Sequence, residues 1–207
     1  MMATTHVLAG VVLAAVALLF VPDVGLVPVA AAALGGLFPD FDLYTGHRKT
    51  LHYPVYYAAA ASVAAGFAAA VPTAATVSVA LFLAAAALHS AMDAFGGGLE
   101  LKPWEGTSDR AVYDHYRGRW IAPRRWVRYD GAPEDLLLAV LFALPAIVAF
   151  DGAGDGPVRA GIYAALAVSA AYALLRKSLV AFAERFVTSL PPPVLVYIPE
   201  RFLDDFR

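Results

Sequence analysis

The chain has 207 residues, of which 60% are hydrophobic and only 15% are charged, and its formal net charge is −2. Soluble domains average about 25% charged and 45–50% apolar residues, so this composition argues against an ordinary soluble domain. The near-neutral charge gives no support to nucleic-acid binding. The chain has no cysteine, which excludes disulfides and leaves histidine and carboxylate as the side chains for any metal site.

Apolar runs predict six helices, at 7–21, 24–38, 54–71, 74–92, 135–150 and 158–176. A helix that crosses the hydrocarbon core needs about 20 apolar residues, with about 17 as the lower end, so several of these runs are short. Turn-forming residues separate them at Pro22-Asp23, at Pro72-Thr73 and in the segment 151–157. We therefore expect an all-α fold, a polytopic helical membrane protein with about six short transmembrane helices in antiparallel hairpins.

The basic residues test this arrangement. Hairpins would place the N-terminus, the segments 39–53 and 93–134 and the C-terminal tail on one side of the membrane. Of the 15 lysines and arginines, 14 fall on that side and only Arg159 falls on the other. Because cytoplasmic loops are enriched in lysine and arginine, we expect both termini in the cytoplasm. The first 21 residues lack the basic start of a secretory signal, which predicts a retained helix in a multi-pass protein of the cell membrane.

The chain divides into a transmembrane helical domain, residues 1–178, and a C-terminal amphipathic or juxtamembrane tail, residues 179–207. The domain includes a cytoplasmic loop, 94–134, which holds all three tryptophans, the remote His115 and an arginine cluster. The basic stretch 102–130 of this loop has two interpretations. Its arginines could clamp a phosphate or an anionic headgroup. We favour the other one, an interfacial loop that follows the positive-inside and aromatic-belt tendencies.

The clearest chemical signal is the pair His89 and Asp93, at the end of a long apolar run. A spacing of four residues on a helix brings two side chains onto one face, about 5–6 Å apart at Cβ. Ionisable groups at such a position are costly unless they are paired, which favours a functional role. The alternative is that His89 caps the helix and Asp93 meets solvent at the interface.

Other candidate residues lie near the same predicted membrane face. Asp40 and Asp42 follow the second predicted helix, and two such close carboxylates call for a cation, although the pattern also occurs in plain turns. His52 precedes Pro54 at the start of the third helix, and His47 is expected to be the more exposed of the two histidines. Non-thiolate sites for Zn²⁺, Mn²⁺ or Fe²⁺ are built from such histidines and carboxylates. His6 could join them by topology or be an ordinary surface histidine.

These motifs resemble the YdjM-like family of membrane-bound metal-dependent hydrolases. His6 with Gly10, then PDFD (39–42), HRKTLH (47–52) and HSAMD (89–93), follow the family's order over roughly residues 1–135. The family looks distantly similar to the helical folds of zinc-dependent phospholipases and nucleases. This chain departs from the common Thr-His-Ser at the second histidine, where it has Leu51-His52-Tyr53. The resemblance implies six metal ligands, His6, Asp40, Asp42, His52, His89 and Asp93. It also implies that His47 and Arg48 face the substrate.

The expected function is a membrane-embedded metal-dependent hydrolase that acts at the cytoplasmic face on a phosphoester or lipid-like substrate. Its cofactor would be a divalent metal, zinc in the first place, with Mn or Fe as alternatives. The expected partners are membrane lipid and the substrate, not nucleic acid. A non-catalytic protein that binds metal for assembly or sensing is the alternative. A lipid phosphatase is disfavoured because its Pro-Ser-Gly-His motif is missing. The 12 arginines against 3 lysines suggest a high-GC genome, such as that of a halophilic archaeon.

Overall fold

The computed structural model describes residues 1–152 and 154–196. Within these residues the chain is mainly helical, which confirms the predicted class. The helices are α1 (Ala3–Leu18), α2 (Val27–Leu37), α3 (Pro54–Ala70), α4 (Ala74–Asp93), α5 (Pro133–Ala149), α6 (Gly156–Ser189) and α7 (Pro192–Leu195). Short 3-10 turns occupy Pro22–Val24, Phe38–Tyr44 and Pro103–Glu105. A two-stranded antiparallel hairpin, β1 (Val112–Asp114) and β2 (Arg119–Ile121), lies in the long loop and was not predicted.

Local sequence explains where several helices begin. Pro54 and Pro133 occupy the first turns of α3 and α5, where the missing backbone N–H of proline has no helical partner to lose. Thr73 caps α4, because its hydroxyl accepts a hydrogen bond from the Thr76 backbone N–H while the Thr76 hydroxyl accepts one from Thr73. Pro145 lies inside α5.

The expectation of about six membrane-spanning helices is too high. Among the described residues, two helices are long and apolar enough to cross a bilayer, α4 and α6. The other apolar helices are shorter than 18 residues: α1 has 16, α3 and α5 have 17 each, and α2 has 11. The run 24–38, for example, yields only the 11 residues of α2, about 16 Å of helix against a hydrocarbon core of about 30 Å. The two long helices are compatible with membrane association.

Helix α6 is the most exposed apolar element of the fold. It runs unbroken to Ser189, past both the predicted helix end at 176 and the boundary drawn at residue 178. Only 11% of its most apolar window is buried, against 44% for α4. Large apolar side chains such as Leu174 and Phe182 face outward. The predicted tail thus begins within a helix, and its residues after 196 lie outside the described part of the chain.

The helix α1 packs against α2, α4, α5 and α6 and so forms the centre of the bundle. Two glycines allow α1 and α2 to approach each other closely. A Cβ at Gly10 would lie 2.4 Å from the Ala32 carbonyl oxygen, and a Cβ at Gly36 would lie 2.4 Å from the His6 carbonyl oxygen. Small residues let helix backbones approach in this way. The close packing brings the first turn of α1, the end of α2 and the end of α4 to one place.

The long loop covers that place from one side. The Arg48 carbonyl oxygen accepts a hydrogen bond from the Tyr113 backbone N–H of β1 (2.9 Å), and the ring of His115 lies 2.7 Å from the Lys49 carbonyl oxygen. At the other end of the loop, Asp130 forms a bidentate ion pair with Arg176 of α6 (2.9 and 3.1 Å). The loop is therefore folded against the bundle at both ends.

Candidate metal centre

Two buried histidines turn the same ring nitrogen toward each other. Nδ1 of His52 lies 2.9 Å from Asp42 Oδ2, and Nδ1 of His89 lies 2.6 Å from the Gly36 carbonyl oxygen. Because these oxygens only accept hydrogen bonds, each Nδ1 is the donor, and each Nε2 offers a lone pair when its ring is neutral. The two Nε2 atoms lie 3.2 Å apart. Two lone pairs at that distance repel each other unless a proton or a metal ion lies between them.

Two carboxylates complete this set of acceptors, Asp40 from the turn after α2 and Asp93 from the last turn of α4. Asp93 Oδ2 lies 3.2 Å from His52 Nε2 and 3.4 Å from His89 Nε2. Asp40 Oδ1 lies 3.9 Å and 3.4 Å from the same nitrogens. A tetrahedral zinc ion with bonds of about 2.0–2.1 Å separates its ligand atoms by about 3.3 Å. The four atoms lie within 4.8 Å of one another, so these residues, the His/Asp cluster, could hold a divalent metal ion.

The His/Asp cluster is open on one side. His52, His89 and Asp93 are at most 1% exposed, whereas the Asp40 side chain is 23% exposed. Asp40 also lines a cavity of about 720 Å³ together with His47 and Arg48. The cavity gives a substrate or water access to the cluster at Asp40.

Several buried polar atoms without hydrogen bonds lie around the cluster. Among the described residues they include both ring nitrogens of His6, Arg48 Nε and Asp93 Oδ2. Buried polar groups are nearly always hydrogen-bonded, so unsatisfied ones call for a missing partner. A cation among these atoms would satisfy the acceptors. The residues present therefore fit a bound metal ion.

Asp42 and His6, both expected as ligands, lie outside the four-residue cluster. Asp42 is fully buried behind His52 and accepts hydrogen bonds from His52 and from the backbone N–H groups of Arg48 and Leu51. Such a carboxylate orients a ligating histidine and raises its basicity. His6 stacks on His89 with ring centroids 3.7 Å apart.

The same Asp42 also holds His47, whose Nδ1 lies 3.1 Å from Asp42 Oδ1. Burial by itself raises the pKa of the Asp42 carboxyl, but hydrogen bonds from His47 and His52 outweigh it, so the pKa lies well below its usual range. Asp42 is therefore ionised at neutral pH. The side chain of His47 is 27% exposed, as expected, and its Nε2 is left for exchange of a proton with the cavity.

Arg48 is buried, and its backbone has a φ of 59°, a conformation that non-glycine residues rarely adopt. Its guanidinium donates hydrogen bonds to the carbonyl oxygens of Gly97 (2.7 Å) and Ala111 (3.5 Å), and its Nε lies 3.6 Å from Asp93 Oδ2. Strained backbone of this kind tends to occur at functional sites. The positive charge of Arg48 thus lies directly beside the cluster.

Two supports of the site were missed from the sequence. The first is the Gly36 carbonyl that orients His89, for which the glycine pair Gly35-Gly36 inside an apolar run was the available signal. The second is Asp135, which is fully buried and accepts hydrogen bonds from the Met2 backbone N–H and the Thr5 hydroxyl (2.7 Å each). Asp135 fixes the start of α1, and with it the position of His6.

No protein-family model, no curated protein and no solved structure matches this chain. The resemblance to the YdjM-like family therefore remains a prediction.

Proposed function

We propose that this chain is a metal-dependent hydrolase embedded in the cell membrane, with its site at the cytoplasmic face. The observation that carries the proposal is the meeting of four acceptor atoms, from two histidines and two carboxylates, at ligand-to-ligand distances beside an open cavity. The Arg48 guanidinium and the Met1 nitrogen lie beside Asp93, but no positive side chain of the described residues lies between the two histidine nitrogens. A bound divalent ion would relieve the repulsion between these nitrogens.

The donor set favours zinc, with manganese or iron as alternatives. Two imidazole nitrogens and two carboxylate oxygens, with no thiolate, are ligands that zinc accepts in tetrahedral sites. Imidazole suits zinc and iron, while carboxylate suits manganese as well. Such an ion, when bound, lowers the pKa of its water and polarises a phosphoryl or carbonyl oxygen.

Other side chains of the site suit proton transfer and the stabilisation of negative charge. His47 Nε2 can take a proton from the nucleophile or return one to the leaving group, because Asp42 holds its other nitrogen. The Arg48 guanidinium, fixed by two backbone carbonyls, offsets negative charge beside Asp93. Lys49 adds a further positive charge to the cavity wall. These charges favour an anionic substrate such as a phosphoester.

The apolar surroundings favour a lipid-like substrate. Along with its polar groups, the cavity is lined by Leu43, Leu99 and Val168, the last of which belongs to the exposed helix α6. An apolar helix with so little burial requires lipid or a partner to cover it. We infer that α6 and α4 cross the bilayer and that the shorter helices are embedded beside them. In the predicted hairpin arrangement 14 of the 15 basic residues lie on the side of the site, which supports a cytoplasmic position for it.

The test compares metal content and hydrolysis of a phosphoester and lipid panel in wild type and three variants. We expect Asp93→Ala to lose metal and turnover together. His47→Gln should keep the metal and lose most of the turnover, since general acid–base catalysis contributes about 10²–10⁴-fold. Asp23→Asn, at an exposed position in the turn between α1 and α2, is the control. Purified wild type without metal, or turnover unaffected by Asp93→Ala, would refute the proposal.

A non-catalytic metal protein for assembly or sensing is the second candidate. It is favoured by the deep burial of His52, His89 and Asp93, which also suits a metal ion that only stabilises the fold. This alternative predicts stoichiometric metal without turnover on any substrate of the panel. His47→Gln would then leave every measured property unchanged.

A further inference from the structure

The two carboxylate oxygens of Asp93 face two different groups. Oδ2 faces His52 Nε2 and His89 Nε2 in the His/Asp cluster, at 3.2 and 3.4 Å. Oδ1 faces the other way, toward His6 Nε2 at 3.3 Å. A carboxylate with a nitrogen ligand at each oxygen has the arrangement of a bridge between two metal ions.

His6 supplies the independent observation. Its side chain is buried, and neither ring nitrogen has a hydrogen-bond partner among residues 1–152 and 154–196. The 3.3 Å separation from Asp93 Oδ1 lacks the geometry of a hydrogen bond. A buried polar group in this state is unfavourable unless a partner satisfies it. Stacking on His89 explains the burial of the ring but satisfies neither nitrogen.

From this we infer a second metal site, formed by His6 Nε2 and Asp93 Oδ1, with Asp93 bridging it to the ion of the His/Asp cluster. Paired ions about 3.5–4 Å apart are typical of enzymes that cleave phosphoesters, because they hold the attacking and the leaving oxygen together. The inference rests on the proposed metal binding and narrows the substrate class to phosphoesters.

The second site is expected to be the weaker one. It has two protein ligands instead of four, and the Met1 nitrogen lies 3.1 Å from the same Asp93 oxygen, so an ion would replace that hydrogen bond. The charge of Arg48 lies nearby, 3.6 Å from Asp93 Oδ2. An anion shared by both ions would offset this repulsion. Inorganic phosphate should therefore strengthen the second site more than the first.

The experiment is a titration of the purified, metal-stripped full chain with Mn²⁺, with and without inorganic phosphate, followed by electron paramagnetic resonance. We expect two Mn²⁺ per chain and a spin-coupled spectrum at saturation. His6→Ala should retain one Mn²⁺ with an uncoupled spectrum, and this retained ion also shows that the variant is folded. Asp23→Asn, at an exposed position in the turn between α1 and α2, should behave like wild type.

The stoichiometries separate the two proposals. One ion per wild-type chain at saturating Mn²⁺ with phosphate would overturn the second site and leave the first intact. Two coupled ions in His6→Ala would also overturn it, because His6 would then be no ligand. No bound ion in wild type would refute metal binding altogether, and with it the proposed function.

Discussion

The substitution Asp42→Asn tests whether this buried carboxylate holds His52 ready for metal. Oδ1 accepts a hydrogen bond from Arg48 N–H (3.3 Å), and Oδ2 accepts one from Leu51 N–H (3.1 Å). An asparagine has one oxygen and one NH₂ group, so either orientation turns an NH₂ group against a backbone N–H. The amide also lacks the negative charge that raises the basicity of His52. Loss of such a partner typically lowers metal affinity 10–100-fold, or about 1.4–2.8 kcal/mol.

The assay is competition for Zn²⁺ against a chromophoric chelator, with purified wild type, Asp42→Asn and Asp93→Ala. We expect the zinc affinity of Asp42→Asn to lie between that of wild type and that of Asp93→Ala, because Asp93→Ala removes a ligand. Asp23→Asn, which makes the same chemical change at an exposed position, should equal wild type. The thermal midpoint of each metal-free protein separates loss of affinity from loss of fold. An Asp42→Asn affinity within twofold of wild type would refute the orienting role.

Three further predictions follow from packing, metal linkage and exposure. Gly36→Ala should destabilise the fold by about 1–3 kcal/mol and lower metal affinity, because its Cβ would lie 2.4 Å from a carbonyl oxygen of α1. Gly66→Ala, with open space around it, should stabilise α3 slightly. Thermal unfolding of the two variants measures the difference. Chelation should lower the thermal midpoint of wild type but not of Asp93→Ala, since a ligand of the native state alone stabilises it; equal shifts would contradict this. In intact membranes a cysteine at Leu174 (83% exposed) should resist a water-soluble maleimide, whereas one at Glu105 should react once the cytoplasmic face is opened; rapid labelling at Leu174 would argue against a lipid-covered α6.

Much of the site could be predicted because its spacing is local. His89 and Asp93 are one helical turn apart, and their side chains meet at 3.4 Å as the period requires. The convergence of Asp40 and His52 with this pair depended on the hairpin topology, which the apolar pattern also indicated. The distinct role of Asp42 could not be predicted, because its sequence position resembles that of Asp40. The fold at Gly46–Thr50, where backbone N–H groups bond back to earlier carbonyls, directs one carboxylate inward toward His52.

The number of membrane spans was harder to predict for a different physical reason. Hydropathy measures how apolar a run is, and α1 and α3 pass that test as helices of 16 and 17 residues. How much of the bilayer a helix can cross depends on where the next turn begins. The turn Phe38–Tyr44, for example, follows α2 directly and does not continue the α-helix. Composition therefore predicted a membrane environment more readily than it predicted which helices are long enough to cross a bilayer.

A metal ion in the His/Asp cluster would act on the fold as well as on a substrate. The cluster joins the turn after α2, the segment before α3 and the end of α4, through Asp40, His52 and the pair on α4. Without an ion, the close glycine contacts of α2 must hold acceptors together against their mutual repulsion. Because the binding energy of an ion at such a site adds to the free energy of unfolding, metal would connect these three segments and stabilise the fold. The same geometry thus serves the catalytic and the non-catalytic proposal, and turnover that depends on His47 is what separates them.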